Sequence, residues 1–323
     1  LHLVAWLGKH GAALLTGHQV TGLVMDQGRV LGVTARRQGD DGEVTVHAKQ
    51  AVVFASGGFA HNPELIGLHH KPFLYGACAS PGATGDLVAI AGAAGAKFAN
   101  MGSAWRTPVV FEEALENRVV SSGAFVPPGD SMILVNKYGV RVVNEKRNYN
   151  DRTRIHNVFD PNNAEYPNQF LFMVYDQRTA EAFAGNYPLP LKDPAGRFVI
   201  VGDSLEALAA ALQQRLVKLA AACGSFRLHA NFADNLQATV ARFNGFARSG
   251  EDADFQRGAF DYDRAWMPLF APMRADTGWP ANDLPNPTLY PLRDAGPFYA
   301  MIMAPGLLDT NGGPVINEHA QIL

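Results

Sequence analysis

Ala51-Val52-Val53-Phe54-Ala55-Ser56-Gly57-Gly58-Phe59 is the stretch whose reading decides the fold. A short apolar, partly β-branched run of this kind reads as a strand buried on both faces, as in a parallel sheet. It stops at Ser56-Gly57-Gly58, where two glycines permit backbone angles and close approaches that a Cβ would forbid. In open α/β sheets ligands lie just past the carboxyl ends of strands. Ala55 to Phe59 therefore reads either as a plain turn or as a contact strip for a cofactor.

Working outward, Gln19–Met25 and Val30–Ala35 alternate as two strands joined by the tight turn Asp26-Gln27-Gly28-Arg29. Thr45–Ala48 continues that ribbon. Before it, Leu1–Leu15 reads as a helix with Leu3, Val4, Leu7, Leu14 and Leu15 roughly on one face, ended by Gly17. After the glycines, Pro81-Gly82-Ala83-Thr84-Gly85-Asp86 opens an alanine-rich helix, Leu87–Ala96. Thr84 or Asp86 is placed to cap its first amides, a position that also attracts anions.

The bulk properties narrow the class. A chain of 323 residues can bury a sizeable core and suggests two domains. A net charge of -3 argues against nucleic acid as the partner. Cys78 and Cys223 have no metal-ligand spacing and read as buried free thiols, compatible with a reducing, cytoplasmic compartment. No apolar run approaches the ~20 residues that span a bilayer.

From Ser103 the composition becomes loop-rich, which places a domain boundary there. Ile133–Asn136 and Val140–Asn144 read as a hairpin around Lys137-Tyr138-Gly139, and Leu171–Tyr175 as another strand. Leu205–Leu219 is an amphipathic helix capped by Asp203 or Ser204, and 231–247 a second helix followed by the acidic loop 250–254. Pro268–Pro297, dense in proline, predicts an extended wrap over the surface. Phe298–Met303 returns as a strand.

Five segments, ASGGFAHNPEL, ATGDLVAIAGAAGAKFANM, ILVNKYGVRVVNEKRNYND, ARFNGFARSGEDADFQRG and PFYAMIMAPGLLDTNGGPVINEHAQIL, occur in an order and spacing that cover most of the chain. Together they resemble the flavoprotein family that includes fumarate reductase, urocanate reductase and 3-ketosteroid Δ1-dehydrogenase. The resemblance implies an α/β fold: a partial Rossmann-like FAD-binding domain, 1–102 and 296–323, with an inserted α+β substrate or cap domain, 103–295. It also implies an internal fragment, because family members carry a GxGxxG turn upstream and a further glycine segment downstream. FAD is the implied cofactor. Its implied contacts are Val20 through its backbone, Ala55, Ser56, Gly57, Gly58, Phe59, Asn62, Thr84, Gly85, Asp86, Gly312 and Gly313.

For chemistry, Asn144-Glu145-Lys146-Arg147-Asn148-Tyr149-Asn150-Asp151-Arg152 packs a phenol, two guanidiniums and two carboxylates into one stretch. Such a density reads as a surface ion-pair cluster or as a catalytic loop. Fumarate-reducing members place an arginine proton donor where this chain has Tyr149, whereas ketosteroid dehydrogenases have a tyrosine at about that place. Tyr149 is thus the expected acid/base, with Arg152 as its cationic partner, and Asn144 and Glu145 orienting the loop. Dicarboxylate-binding members carry a histidine where this chain has Asp309, which would repel a dianion. Trp105 and Asn311 are the expected substrate contacts, although core is the commoner fate of a lone tryptophan. His69 and His70 read as exposed, and no metal site is expected.

The reading that results is an FAD-dependent oxidoreductase acting on a carbon–carbon bond beside a carbonyl, with hydride passing to flavin N5. The expected substrate is a small neutral ketone, and the electron acceptor is left open. A fumarate- or urocanate-type reductase and a non-catalytic fragment are the alternatives. The two glycine tips, 56–58 and 311–313, are expected to converge on one ring system beneath a tyrosine-bearing lid.

Overall fold

The computed structural model describes residues 2–266 and 277–323. Its strands are β1 (His18–Asp26), β2 (Arg29–Arg37), β3 (Glu43–His47), β4 (Gly76–Ala77), β5 (Phe98–Ala99), β6 (Ala104–Val110), β7 (Met132–Val135), β8 (Leu171–Asp176), β9 (Ile200–Gly202), β10 (Phe298–Thr310) and β11 (Gly313–Pro314). They form an antiparallel ribbon β1-β2-β3, a mixed six-stranded sheet, and the small pair β5-β11.

The larger sheet is built on β10, which pairs antiparallel with β6, β8 and β9 and parallel with β4. Its strands alternate, so successive side chains enter opposite layers. Phe298, Ala300, Ile302 and Ala304 of β10 join Phe172 and Val174 of β8 and Ile133 and Val135 of β7 in one layer. Tyr299, Met301 and Met303 join Leu171, Met173, Met132 and Leu134 in the other. Each of these side chains is nearly solvent-free, worth roughly 1.5–3 kcal/mol apiece for the larger ones.

Two helices close the first layer. Leu205–Lys218 presents Leu208, Leu212 and Leu216 at four-residue spacing, and Ser204 caps it by accepting from the Ala207 amide at 3.0 Å. Phe232–Ser249 buries Phe232, Leu236, Val240, Phe243 and Ala247, and ends at left-handed Gly250. A third cluster, with Phe59, Ala60, Ile66, Ala77 and Leu307, packs where the glycine segment meets the far end of β10.

Several expectations are corrected. Residues 51–59 form no strand: Val53 is 87% exposed, and no described segment pairs with the run. A strand needs a neighbour to take its amides, and apolar composition supplies none. The first helix spans only His2–Lys9, and none of its residues is buried. Neither Thr84 nor Asp86 caps the Asp86–Ala93 helix; left-handed Gly85 holds the cap position while the Thr84 hydroxyl donates to Asp86 Oδ1. The 133–144 hairpin keeps its turn, but its second arm is reduced to a bridge between Val135 and Arg141. Of the proline-rich wrap, 267–276 lies outside the described residues.

Candidate active site

The first glycine tip meets the end of β10 at Asp309 and Thr310, just before the second. The Gly58 amide donates to Asp309 Oδ2 (3.3 Å) and the Phe59 amide to Thr310 Oγ1 (2.8 Å), pinning the segment to the end of β10. Gly58 is glycine because a Cβ there would stand 2.2 Å from Thr310 Oγ1. Gly312 is likewise pressed on its own chain: a Cβ would lie 2.4 Å from the Asn100 carbonyl oxygen. Gly57 differs, with a left-handed φ of +74° and only the Asp309 carboxylate nearby, at 3.7 Å.

The other expected cofactor contacts surround this junction. Gly85 donates its amide to Gly58 O, and a Cβ on it would lie 2.7 Å from Phe59 Cβ. Asn62 caps the Pro63–His69 helix by accepting from Leu65 N and donates to Thr84 O. Gln19, beside Val20 on β1, donates to Asp86 Oδ2 at 3.2 Å, which sets the ribbon against the Asp86–Ala93 helix. Among the described residues, none of the amides from Ala51 to Gly57 finds an acceptor, and Ala55, Ser56 and Gly57 are exposed. Unpaired main chain poor in side chains is a surface on which a flat ring can lie, so these residues fit FAD.

Next to the junction lies a cleft of about 460 Å³, lined by Ser103, Trp105, Arg106, Asn150, Arg154 and Asn311 among others. That size suits a small organic substrate. Trp105, for which core was the commoner expectation, is 59% exposed. Asn311 donates its amide to Ser103 O, and Asn150 Oδ1 accepts from Arg106 N at 3.0 Å, tying the Tyr149–Thr153 helix to β6. Tyr149 is half-buried, with its ring edge-on to Phe125 at 5.1 Å, one residue before a cleft-lining position.

Within the cluster at 144–152, Asn144, Glu145, Lys146 and Arg152 are buried, 147–150 are half-buried and Asp151 is exposed. Glu145 is solvent-free and takes Arg141 bidentately (2.8 Å each), with Arg257 at 3.4 Å. Burial works to raise its carboxyl pKa, yet Arg141 and Arg257 outweigh it and hold the group below its ordinary value. Asn144 donates to Asp263 Oδ2 and accepts from Lys146 N. Lys146 spends its ammonium on the carbonyls of Pro127 and Gly129, and burial drives its pKa well down.

Arg152 is equally committed. It donates to the carbonyls of Glu145, Arg147, Ala124 and Phe125, and burial lowers its pKa to about 10. Its guanidinium braces the loop from within. Arg147 instead stacks on Phe260, 4.0 Å from the ring centre, with Asp263 3.9 Å away.

The expected exposure of the His69-His70 pair fails at His70. His70 is buried, because the helix it terminates packs on Phe59; burial, then Arg106 and His69, lower its pKa to about 4. His156 is buried too, with Nδ1–H donating to Gln169 O, and its pKa falls to about 4 through burial. Arg106 was legible as part of the Trp105-Arg106-Thr107-Pro108 run, expected to line a slot, and Asn150 as part of the 144–152 stretch; Arg154 and the role of Thr310 were not, and the second arginine after Tyr149 was the one signal for Arg154. Among the described residues no acidic, His or Cys group is arranged to hold a metal ion, and no helix is long and apolar enough to cross a membrane.

A family model described as an FAD binding domain matches residues 2–323. A 4-oxocyclohexanecarboxylate 2-dehydrogenase of Sinomonas cyclohexanicum is 34% identical over 92% of this chain and 46% of its own length. A 3-oxosteroid 1-dehydrogenase of Mycolicibacterium smegmatis is 32% identical over 95% and 50%. In fold, the chain is similar to the crystal structure of 3-ketosteroid delta1-dehydrogenase from Sterolibacterium denitrificans in complex with 1,4-androstadiene-3,17-dione. That match has a TM-score of 0.73 and 23% identity over 99% of this chain and 54% of the other. The chain thus spans about half the length of the curated relatives it matches.

Proposed function

The chain belongs to the FAD binding domain family, and from that premise we propose that it is part of an FAD-dependent dehydrogenase introducing a double bond beside the carbonyl of a ring ketone. In this reading residues 1–102 and 296–323 form a partial Rossmann-like cofactor domain and 103–295 the cap. Ala55–Phe59, Thr84–Asp86, Gly312 and Gly313 line the cofactor, with Val20 and Asn62 beside them.

FAD, held by these residues, would supply a two-electron acceptor for the hydride lost from the ring carbon β to the carbonyl. Tyr149 takes the proton from the α carbon, and Trp105 and Asn311 flank the substrate. Arg152 acts through position: its bonds to four carbonyls hold the turn from which Tyr149 departs. The observation that carries the reading is the adjacency of the glycine junction at Gly58–Thr310 to a cleft shared by β6 and the Tyr149 loop. Both curated relatives are named as dehydrogenases of oxo compounds, which supports it.

The fumarate-type alternative needs a carboxylate-gripping group at position 309. Asp309 is there, turned onto the amides of Gly58 and Thr310. So engaged, and absent from the cleft lining, it does not enforce a neutral substrate either. Two free cysteines, Cys78 and Cys223, accord with a cytoplasmic location, which we include in the proposal.

Tyr149→Phe tests the assignment. With FAD retained, as read from absorbance near ~450 nm, turnover of a cyclic ketone falls at least about a hundredfold. A loss under about fivefold removes Tyr149 from the mechanism.

A further inference from the structure

We propose that the cleft selects ketones that also carry a carboxylate, and that Arg106 and Arg154 are the residues that select it; the inference rests on the ring-ketone reading above. Arg106 lies on β6, and Arg154 begins the turn Arg154–Asn157. Both line the cleft, together with the neutral side chains of Trp105, Asn150, Asn157 and Asn311, and no acid lines it.

Neither guanidinium has a side-chain or carbonyl partner among the described residues. Arg106 Nη1 is moreover shut off from solvent with no acceptor. Elsewhere the fully buried guanidiniums are matched, and among the half-buried ones Arg118, away from the cleft, shares the unpaired state of Arg106. Arg141 is held by Glu145 and Asp252, Arg178 by Asp130, and Arg152 and Arg257 by rings of carbonyls. Asp309, which lies just past the β10 residue opposite Arg106, is engaged on backbone amides, and Asp151 is exposed beside Asn150.

Two unmatched like charges on one concave surface raise each other's energy, and burial together with Arg154 depresses the Arg106 guanidinium. A carboxylate between them relieves the repulsion and supplies the missing acceptor in charge-assisted, bidentate form. A neutral ketone leaves both charges uncompensated, so the arrangement discriminates by charge as well as by shape.

The test measures binding to the purified, FAD-supplied protein by calorimetry and by tryptophan fluorescence. The probes are 4-oxocyclohexanecarboxylate, its carboxamide, cyclohexanone, and cyclohexanecarboxylate, which keeps the acid but lacks the ketone. The keto acid is expected to bind at least about tenfold tighter than the carboxamide, a preference that shrinks with added salt. Arg154→Gln, at an exposed position, is expected to erase most of that preference with the thermal melt unchanged. Arg106→Gln provides the second variant.

Arg154-dependent binding of cyclohexanecarboxylate supports the anion site even if the ketone reading fails. Equal affinity for acid and carboxamide, or a preference surviving both substitutions, overturns the inference and leaves the ketone reading standing. Binding of neither acid also overturns it.

Discussion

Arg152→Met isolates the brace under the Tyr149 helix. The substitution keeps an apolar stem but removes donors to four carbonyls: Ala124 at 2.6 Å, Arg147 at 2.7 Å, Glu145 at 3.0 Å and Phe125 at 3.2 Å. An acceptor left buried and unpaired costs about 1–3 kcal/mol. Removing a buried cation returns part of its desolvation, and neighbouring losses do not add. The net expectation is about 3–5 kcal/mol, a large share of an ordinary domain's stability. Arg152→Lys should lose roughly half as much, because one ammonium has three donors but cannot span two segments as a fork does. The assay is urea unfolding followed by circular dichroism, with turnover measured in parallel. A Met variant that unfolds within about 0.5 kcal/mol of the wild type refutes the brace. If such a variant also lost turnover, Arg152 would act on the reaction directly.

Gly58→Ala brings a Cβ to 2.2 Å from Thr310 Oγ1 and 2.5 Å from Asp309 Oδ1, forcing the glycine strip off β10. FAD affinity, titrated by flavin fluorescence, should fall at least about tenfold, and an unchanged affinity contradicts the assigned strip. His156 carries a pH signature. It titrates near 6.5 when unfolded and near 4 when folded, so between these values the unfolded chain binds more protons and stability falls as pH drops. The loss reaches about 3 kcal/mol by pH 4, with buried His70 acting in the same direction. Urea midpoints for wild type and His156→Asn at pH 7 and 4.5 should differ in slope; parallel slopes argue against a neutral buried imidazole.

What the sequence disclosed follows from how local the determinants are. The β1–β2 hairpin was legible because Gln27 and Gly28 are the two left-handed residues that a primed turn demands. The Leu205–Lys218 helix was legible from its cap and leucine spacing. The junction of Gly58 with Thr310 was reachable only through a likeness to known flavoproteins, since 251 residues separate the ends of the Phe59–Thr310 bond. Ala51–Ala55 misled because apolar content signals burial, while a strand is made by whatever lies beside it. The 144–152 cluster could not be sorted into surface or interior by spacing alone. Its partners Asp263, Arg257 and the carbonyls of Pro127 and Gly129 come from distant segments. Trp105 and His70 reversed their residue types' usual fates for the same reason: position relative to a fold edge is not written in the residue itself.

β10 acts as a ruler. Its 13 residues run unbroken from the layered core at Phe298 to Thr310, roughly 43 Å at strand rise, and the offset after Leu307 sets which of Asp309 and Thr310 reaches which amide. Loops such as 160–165 can gain or lose a residue with local consequences. A single deletion within β10 would exchange its two faces and bring the wrong side chain to Gly58, so evolution can vary the surrounding connections far more freely than the length of this one strand.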